Sequence, residues 1–257
     1  MKFGSNYRHR RRVPVGQSSM SPGDVSLKVE GLAVHFENSV GLHDVSVCIP
    51  TAQLTAIVGP PGSGKTTLLR ALSCELPWAS GSLVIRSSSS SLGPPKKWDC
   101  SLCICPSHRP ESCPFNPTVN GLEHLGEALH LLGLEHLMNR AYESLSERDR
   151  RRVELASALV PLLSRSENEV CHLWLDDPVC GLAELHQHKL LRWLADSSRA
   201  RQTTVFTTTD HALARVYAEH VILLSRGAVI SEGTPRAALS AKKLTEAFAD
   251  QWLLTAR

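Results

Sequence analysis

The sequence predicts an α/β fold: a parallel sheet flanked by helices, an antiparallel strand arm ahead of it, and a helical block set into it. Three observations carry this. A glycine-rich stretch, Gly-Pro-Pro-Gly-Ser-Gly-Lys-Thr-Thr at residues 59–67, lies between the apolar run Leu54–Val58 and a helical pattern opening at Thr66–Leu72. Downstream, the predicted strands Val170–Leu175, Thr203–Thr207 and Val221–Leu224 alternate with helical stretches, as parallel strands joined by crossovers do. Between residues 119 and 163 the apolar spacing is helical instead, through Leu122, Leu125, Leu129, Leu132 and Leu134.

Taken in order, residues 1–23 are polar, basic and contain Gly, Ser and Pro, so they read as a disordered tail. Lys2, Arg8, Arg10, Arg11 and Arg12 all precede the first acid, Asp24; taking those five cations from the net +3 leaves −2 for the rest. The tail is read as a solvated extension, or as sequence upstream of a start at Met20. Contact with anionic lipid or nucleic acid has only composition behind it, and no nucleic-acid partner is expected. Residues 24–257 form the folded domain. Ser26–Val34 and Leu42–Ile49 alternate as the two strands of the arm. The serine run Ser87–Ser91 leads into Leu92-Gly-Pro-Pro95, a surface loop. Ser101–Cys105 is a short strand, and a helical subdomain follows over about 116–168. Leu182–Ala195 is helical, Arg226-Gly227 is a hairpin turn into Val229–Glu232, and helices close the chain.

The stretch 59–67 fits the chemistry of phosphate binding. Gly59, Gly62 and Gly64 let backbone N–H groups curl around an anion with no Cβ in the way, and Pro60, Pro61, Ser63 and Thr67 complete the loop. Lys65 reaches the outer phosphates, and the Thr66 hydroxyl suits Mg²⁺. The helix that follows aims its dipole at the same anion. A second half comes from Leu173-Trp-Leu-Asp-Asp177, an apolar strand ending in two carboxylates. Asp176 is the candidate Mg²⁺ ligand and Asp177 the candidate for polarising an attacking water.

Size and composition agree with a soluble nucleotide-binding protein. The 257 residues suffice for a substantial core, with 42% hydrophobic and 21% charged residues. No apolar run approaches a membrane span, so a membrane role needs a partner. The N-terminus has no apolar signal core. Eight cysteines beside an intracellular type of nucleotide motif are expected to be reduced thiols.

From about Val25 to Ala249 the chain resembles the ATP-binding subunits of ABC transporters, most of all the haemin-import group within the iron-siderophore and cobalamin import class. The resemblance rests on the phosphate loop and on residues 69–77 after it. It also rests on Cys105-Pro-Ser-His108 with Cys113-Pro-Phe115, on His186-Gln-His188 with Leu190-Leu191, and on Val216–Leu224. It implies a P-loop NTPase (RecA-like) core, ATP and Mg²⁺ as cofactors, a membrane permease and a second ATP-binding subunit as partners, and a place on the cytoplasmic face of the cell membrane. It also implies that Phe36 is the arm aromatic stacking on adenine; from the residues alone Phe36 is equally a core phenylalanine.

The departures from the family fall on its chemistry. Its Leu-Ser-Gly-Gly signature reads Leu145-Ser146-Glu147-Arg148-Asp149 here. Glu147 brings negative charge and bulk to an end that meets a partner's γ-phosphate in the family. Ser146 and Asp149 still make a sound helix start. The Q-loop glutamine aligns with Ser107, the catalytic glutamate with Asp177, the D-loop aspartate with Ala183 and the switch histidine with Thr209, followed by Asp210 and His211. Mg-ATP binding rests on residues that remain, and hydrolysis on positions that are altered. The expectation is therefore nucleotide binding with slow or absent turnover, in a haem or iron-chelate importer, or alternatively in a nucleotide-binding module acting as sensor or scaffold.

Other clusters have plainer readings. Cys100, Cys103, Cys105, His108 and Cys113 have zinc-like spacing, but the strand pattern accounts for them more simply. His186 and His188 are two apart and should diverge on one helix. Arg148, Arg150, Arg151 and Arg152 read as a solvated helix face.

Overall fold

A computed structural model describes residues 25–36, 39–76, 79–85, 101–104, 125–163, 171–198 and 202–255. The tail, the serine run, Ser107, His108, Cys100, Cys105 and Cys113 lie outside the described residues.

Two sheets organise the chain. The first is antiparallel, in the order β2 (Ser39–Pro50), β1 (Val25–Phe36), β4 (Ser80–Ile85). The alternation of the arm correctly predicts β1 and β2 but not β4, which pairs along β1 from Leu27↔Ile85 to Ala33↔Ser80. The second sheet has the order β5 (Ser101–Ile104), β6 (Cys171–Leu175), β7 (Gln202–Thr208), β3 (Leu54–Val58), β8 (His220–Ser225), β9 (Ala228–Gly233). It is parallel from β5 to β8, and β9 returns antiparallel through the Arg226-Gly227 turn.

Burial on both faces explains why β3 and β8 are nearly continuous apolar runs. The period-two alternation sorts strand residues between two cores. Leu54, Ala56 and Val58 of β3, Leu173 and Leu175 of β6, Phe206 of β7, and Val221 and Leu223 of β8 face one core. Ile57, Trp174, Val205, Ile222 and Leu224 face the other, which the arm and α1 (Lys65–Leu72) complete through Leu32, Leu42, Val45, Leu68 and Leu72.

The helical block differs from the expectation of a near-continuous helix. It contains α2 (Leu125–Leu132) and α3 (Glu147–Leu163), joined by single turns at Glu135–Leu137 and Tyr142–Ser144. Gly133, at φ 67, ends α2: its left-handed backbone lets Leu134 N–H donate back to Leu129 O at 2.8 Å. Leucine spacing continues past this point, which is why the periodicity overran the helix. Helix α4 (Glu184–Ser198) begins two residues later than its apolar pattern, and α5 (His211–Tyr217), α6 (Pro235–Ala238) and α7 (Ala241–Thr255) complete the fold. Among the described residues, no helix is long and apolar enough to cross a membrane.

Candidate functional site

Strand β3 runs into residues 59–64, and α1 starts at Lys65. The loop's shape depends on its glycines. A Cβ on Gly59 would stand 2.2 Å from Leu224 O and 2.6 Å from Ser63 Oγ, so the strand-to-loop exit admits no side chain. Gly64 precedes α1 at φ 99, and no side chain caps the helix. Its first-turn N–H groups thus face outward as an anion cradle requires. The turn between β8 and β9 braces the loop, since Gly227 N–H donates to Ser63 O at 2.9 Å. The arm braces that turn in its place, through His43 N–H to Gly227 O at 2.8 Å.

Two strands in register carry the acids to this loop. Leu175 of β6 pairs with Phe206 of β7, which sets Asp176 level with Thr207. Thr66 Oγ1 lies 2.9 Å from Asp176 Oδ2 and 3.1 Å from Oδ1. The Thr207 hydroxyl donates to Asp176 Oδ1 at 2.6 Å and accepts from Asp177 N–H at 2.9 Å. A hydroxyl and a carboxylate converging in this way are the hard oxygen donors that fit Mg²⁺.

Charge at the site is tuned by burial. Lys65 Nζ donates to the carbonyls of Gly59 and Pro60 at 2.9 Å each, folding across the loop. Burial lowers the ammonium's pKa, with Asp177 and Asp176 opposing that shift. Burial also pushes the Asp177 carboxyl up, and the Asp176 charge adds to this; Lys65 and a hydrogen bond with Cys180 pull the other way. Asp177 sits at φ 47, a left-handed backbone uncommon outside glycine.

The structure thus brings together Gly59 through Thr66, Asp176 and Asp177. Phe36 is 47% exposed, so the core reading is wrong for it. Its ring lies over Gly41, where a Cβ would meet Phe36 Cε2 at 2.6 Å and Thr67 Cγ2 at 3.1 Å. An open aromatic face therefore stands beside the start of α1. Thr209 is exposed just beyond β7. Asp210 caps α5, accepting from Ala212 N–H at 2.8 Å and Leu213 N–H at 3.1 Å. The His211 ring contacts Phe248 of α7. Ala183 O accepts from His186 N–H at 2.8 Å as α4 begins.

At the start of α3 the side chains are occupied with one another. Ser146 Oγ donates to Asp149 Oδ2 at 2.7 Å and accepts from Asp149 N–H at 3.1 Å. Glu147 pairs with Arg151 at 2.6 Å, Arg152 with Asp149 at 3.3 Å, and Arg150 donates to the carbonyls of Tyr142 and Glu143. The arginine cluster is thus spent within the chain. His186 and His188 do diverge: the first contacts Leu131 O, the second Tyr217 OH at 2.7 Å.

Thr207 was missed by sequence reasoning. Its signal was the threonines of a strand buried at the centre of the sheet, Thr203, Thr204, Thr207 and Thr208. The bracing by Gly227 depends on a contact between distant segments and left no local signal.

Known proteins resemble this chain along most of its length. Residues 42–162 match the ABC transporter family. The hemin import ATP-binding protein HmuV of Photobacterium damsela subsp. piscicida is 31% identical over 227 residues, covering 82% of this chain and 84% of that protein. HmuV of Nocardia farcinica is 28% identical over 268 residues, covering 96% and 90%. Among solved structures, an ATP-binding cassette of an ABC transporter superposes with a TM-score of 0.65 at 19% identity, covering 87% of this chain and 98% of that one. CbiO1 from Clostridium perfringens, part of the ABC transporter complex cbiONQ, gives 0.60 at 21% identity, covering 90% and 97%.

Proposed function

This chain belongs to the ATP-binding subunits of ABC transporters, and we propose that it couples ATP binding and slow hydrolysis to an importer of haem or a related iron chelate. The observation that carries the nucleotide reading is the convergence of Thr66 and Asp176 behind the loop 59–64, with Oγ1 2.9 Å from Oδ2. The hemin-import relatives support the substrate class.

In this reading, the amides of residues 59–67 cradle the phosphates, and Lys65 leaves the Gly59 and Pro60 carbonyls to pair with the outer ones. Thr66 and Asp176 hold Mg²⁺, which when bound neutralises and orients phosphate oxygens. Phe36 offers its open face to adenine. Asp177 polarises water, with the reach of one methylene less than glutamate. A displacement near 1 Å at such a position lowers rate by roughly a hundredfold. A second ATP-binding subunit and a membrane permease complete the assembly, which places this chain on the cytoplasmic membrane face.

A second reading, a nucleotide sensor or scaffold, is favoured by the start of α3. There Glu147 and Asp149 present carboxylates, and Arg148 is drawn onto Gly181 O at 2.9 Å. The side-chain bulk of Glu147, where the family has glycine, disfavours close approach of a partner's phosphate.

Growth on haemin as sole iron source separates the two. Introducing Lys65→Ala into the source organism should abolish that growth under the importer reading. Unchanged growth would reject haem import and leave the sensor reading in place.

A further inference from the structure

We propose that Thr207 is a positioning residue for the metal half of the site, setting the Asp176 carboxylate and the Asp177 backbone with one hydroxyl. The inference rests on the nucleotide-binding reading above and adds to it a residue outside the loop and outside the acid pair.

Thr207 is fully buried on β7. A threonine hydroxyl has one proton to give and lone pairs to receive with. Here the proton goes to Asp176 Oδ1 at 2.6 Å, and a lone pair takes Asp177 N–H at 2.9 Å. The first bond fixes the rotation of the Asp176 carboxylate. With Oδ1 held by Thr207, Oδ2 is the oxygen turned closest to Thr66 Oγ1, at 2.9 Å. That leaves a carboxylate oxygen and a hydroxyl oxygen side by side on the face toward the loop, where a hard cation takes oxygen ligands. The second bond tethers the backbone of Asp177 where it turns left-handed at φ 47. Strand register makes this possible, because the Leu175↔Phe206 pair puts Thr207 beside the exit of β6. A valine would fill the same space in the strand and supply neither bond.

Outer partners that orient metal ligands are worth about 10–100-fold in metal affinity when removed. Mg²⁺ binding should therefore weaken in Thr207→Val by about tenfold, while nucleotide binding without metal, which uses the loop amides and Lys65, stays as it was. Thr207→Ser keeps the hydroxyl and should restore the Mg²⁺ response.

The test titrates MgCl₂ into full-length protein holding a fluorescent methylanthraniloyl derivative of ATP, after first measuring binding of that nucleotide in EDTA. Thermal melting in EDTA checks that each variant is folded. The expected result is a raised Mg²⁺ midpoint for Thr207→Val, an unchanged affinity in EDTA, and recovery in Thr207→Ser. Should Thr207→Val not fold, Thr207→Ala set against Thr207→Ser makes the same comparison of hydroxyl with none. Equal Mg²⁺ midpoints in variants with and without the hydroxyl would overturn the assignment of Thr207 alone. Failure of the unaltered chain to bind the nucleotide in any condition would instead overturn the nucleotide reading on which it rests.

Discussion

Arg148 of α3 donates from its guanidinium to the carbonyl of Gly181 at 2.9 Å, tying the helical block to the loop that follows Asp177. Gly181 sits at φ 77, and a Cβ there would lie 2.8 Å from Arg148 Nε, so the arginine packs where glycine leaves room. The loop is otherwise held by short local bonds, Cys180 N–H to Asp177 O at 3.0 Å and Leu182 N–H to Val179 O at 3.1 Å. Removing the arginine should loosen this loop more than the fold. In Arg148→Ala, amide hydrogen exchange over 178–182 is expected to quicken while global stability falls by under about 1 kcal/mol, as for an exposed contact. Hydrolysis is not expected to improve, because Glu147 and Asp149 remain. Unaltered exchange in that loop would show that the contact holds nothing in place.

The phosphate loop should be sensitive to a methyl group at one glycine and tolerant at another. Gly59→Ala forces a Cβ to 2.2 Å from a backbone oxygen, Leu224 O, and should abolish nucleotide binding with a clear loss of melting temperature. At Gly62 nothing lies within 4 Å and only its φ of 74 opposes a side chain. Gly62→Ala should cost about 1–2 kcal/mol, the penalty of a left-handed backbone. Melting curves and nucleotide titrations on the pair would check the contrast.

His172 lies buried on β6, stacked near Trp174 at 6.2 Å between ring centres. Burial lowers its pKa from 6.5 to about 4. Above pH 6.5 the imidazole is neutral in folded and unfolded chains alike, and it costs nothing. Between pH 6.5 and 4 the unfolded chain takes up the proton and the folded one does not, so stability falls as pH falls, by up to about 3 kcal/mol. Below pH 4 the loss levels off. His172→Gln should remove this slope; denaturant unfolding at several pH values measures it.

Asp177 should behave in the opposite sense. Its carboxyl is raised above 3.8 by burial and by Asp176, so at neutral pH its ionised form burdens the fold. As pH falls through the raised folded value, the folded chain protonates first and the burden lifts. Asparagine carries no charge and tolerates the left-handed backbone at φ 47 better. Asp177→Asn is therefore expected to melt a few degrees higher than the unaltered chain at pH 7. The pH-dependent part of that gain should vanish in acid. A lower melting temperature at pH 7 would mean that the attraction to Lys65 outweighs both effects.

Much of this was legible in the chain, for reasons that differ by element. Central strands such as β3 and β8 are buried on both faces, so their residues had to be apolar and announced themselves. The loop 59–67 is legible because its chemistry depends on consecutive residues. Strand β4 was missed because Ser80-Gly-Ser82 interrupts the β-branched pattern, and pairing with β1 supplies what local sequence lacks. The break between α2 and α3 was hidden by leucines that stay buried through the turns, Leu134, Leu137 and Leu145. Thr207 and Arg148 matter through partners about thirty residues away, Asp176 and Gly181, and such distances appear only once the strands are in register.

Measuring ATP affinity and phosphate release together, on the purified chain and on Lys65→Ala, decides whether Mg-ATP binds through the loop 59–67 while turnover stays weak. The expected result is ATP binding that is lost in Lys65→Ala, with slow phosphate release by the unaltered chain against background release by the variant. Brisk release that disappears in Lys65→Ala would contradict it, showing that Asp177 and the altered start of α3 still support catalysis. ATP binding that survives Lys65→Ala unchanged would contradict the placement of the site itself.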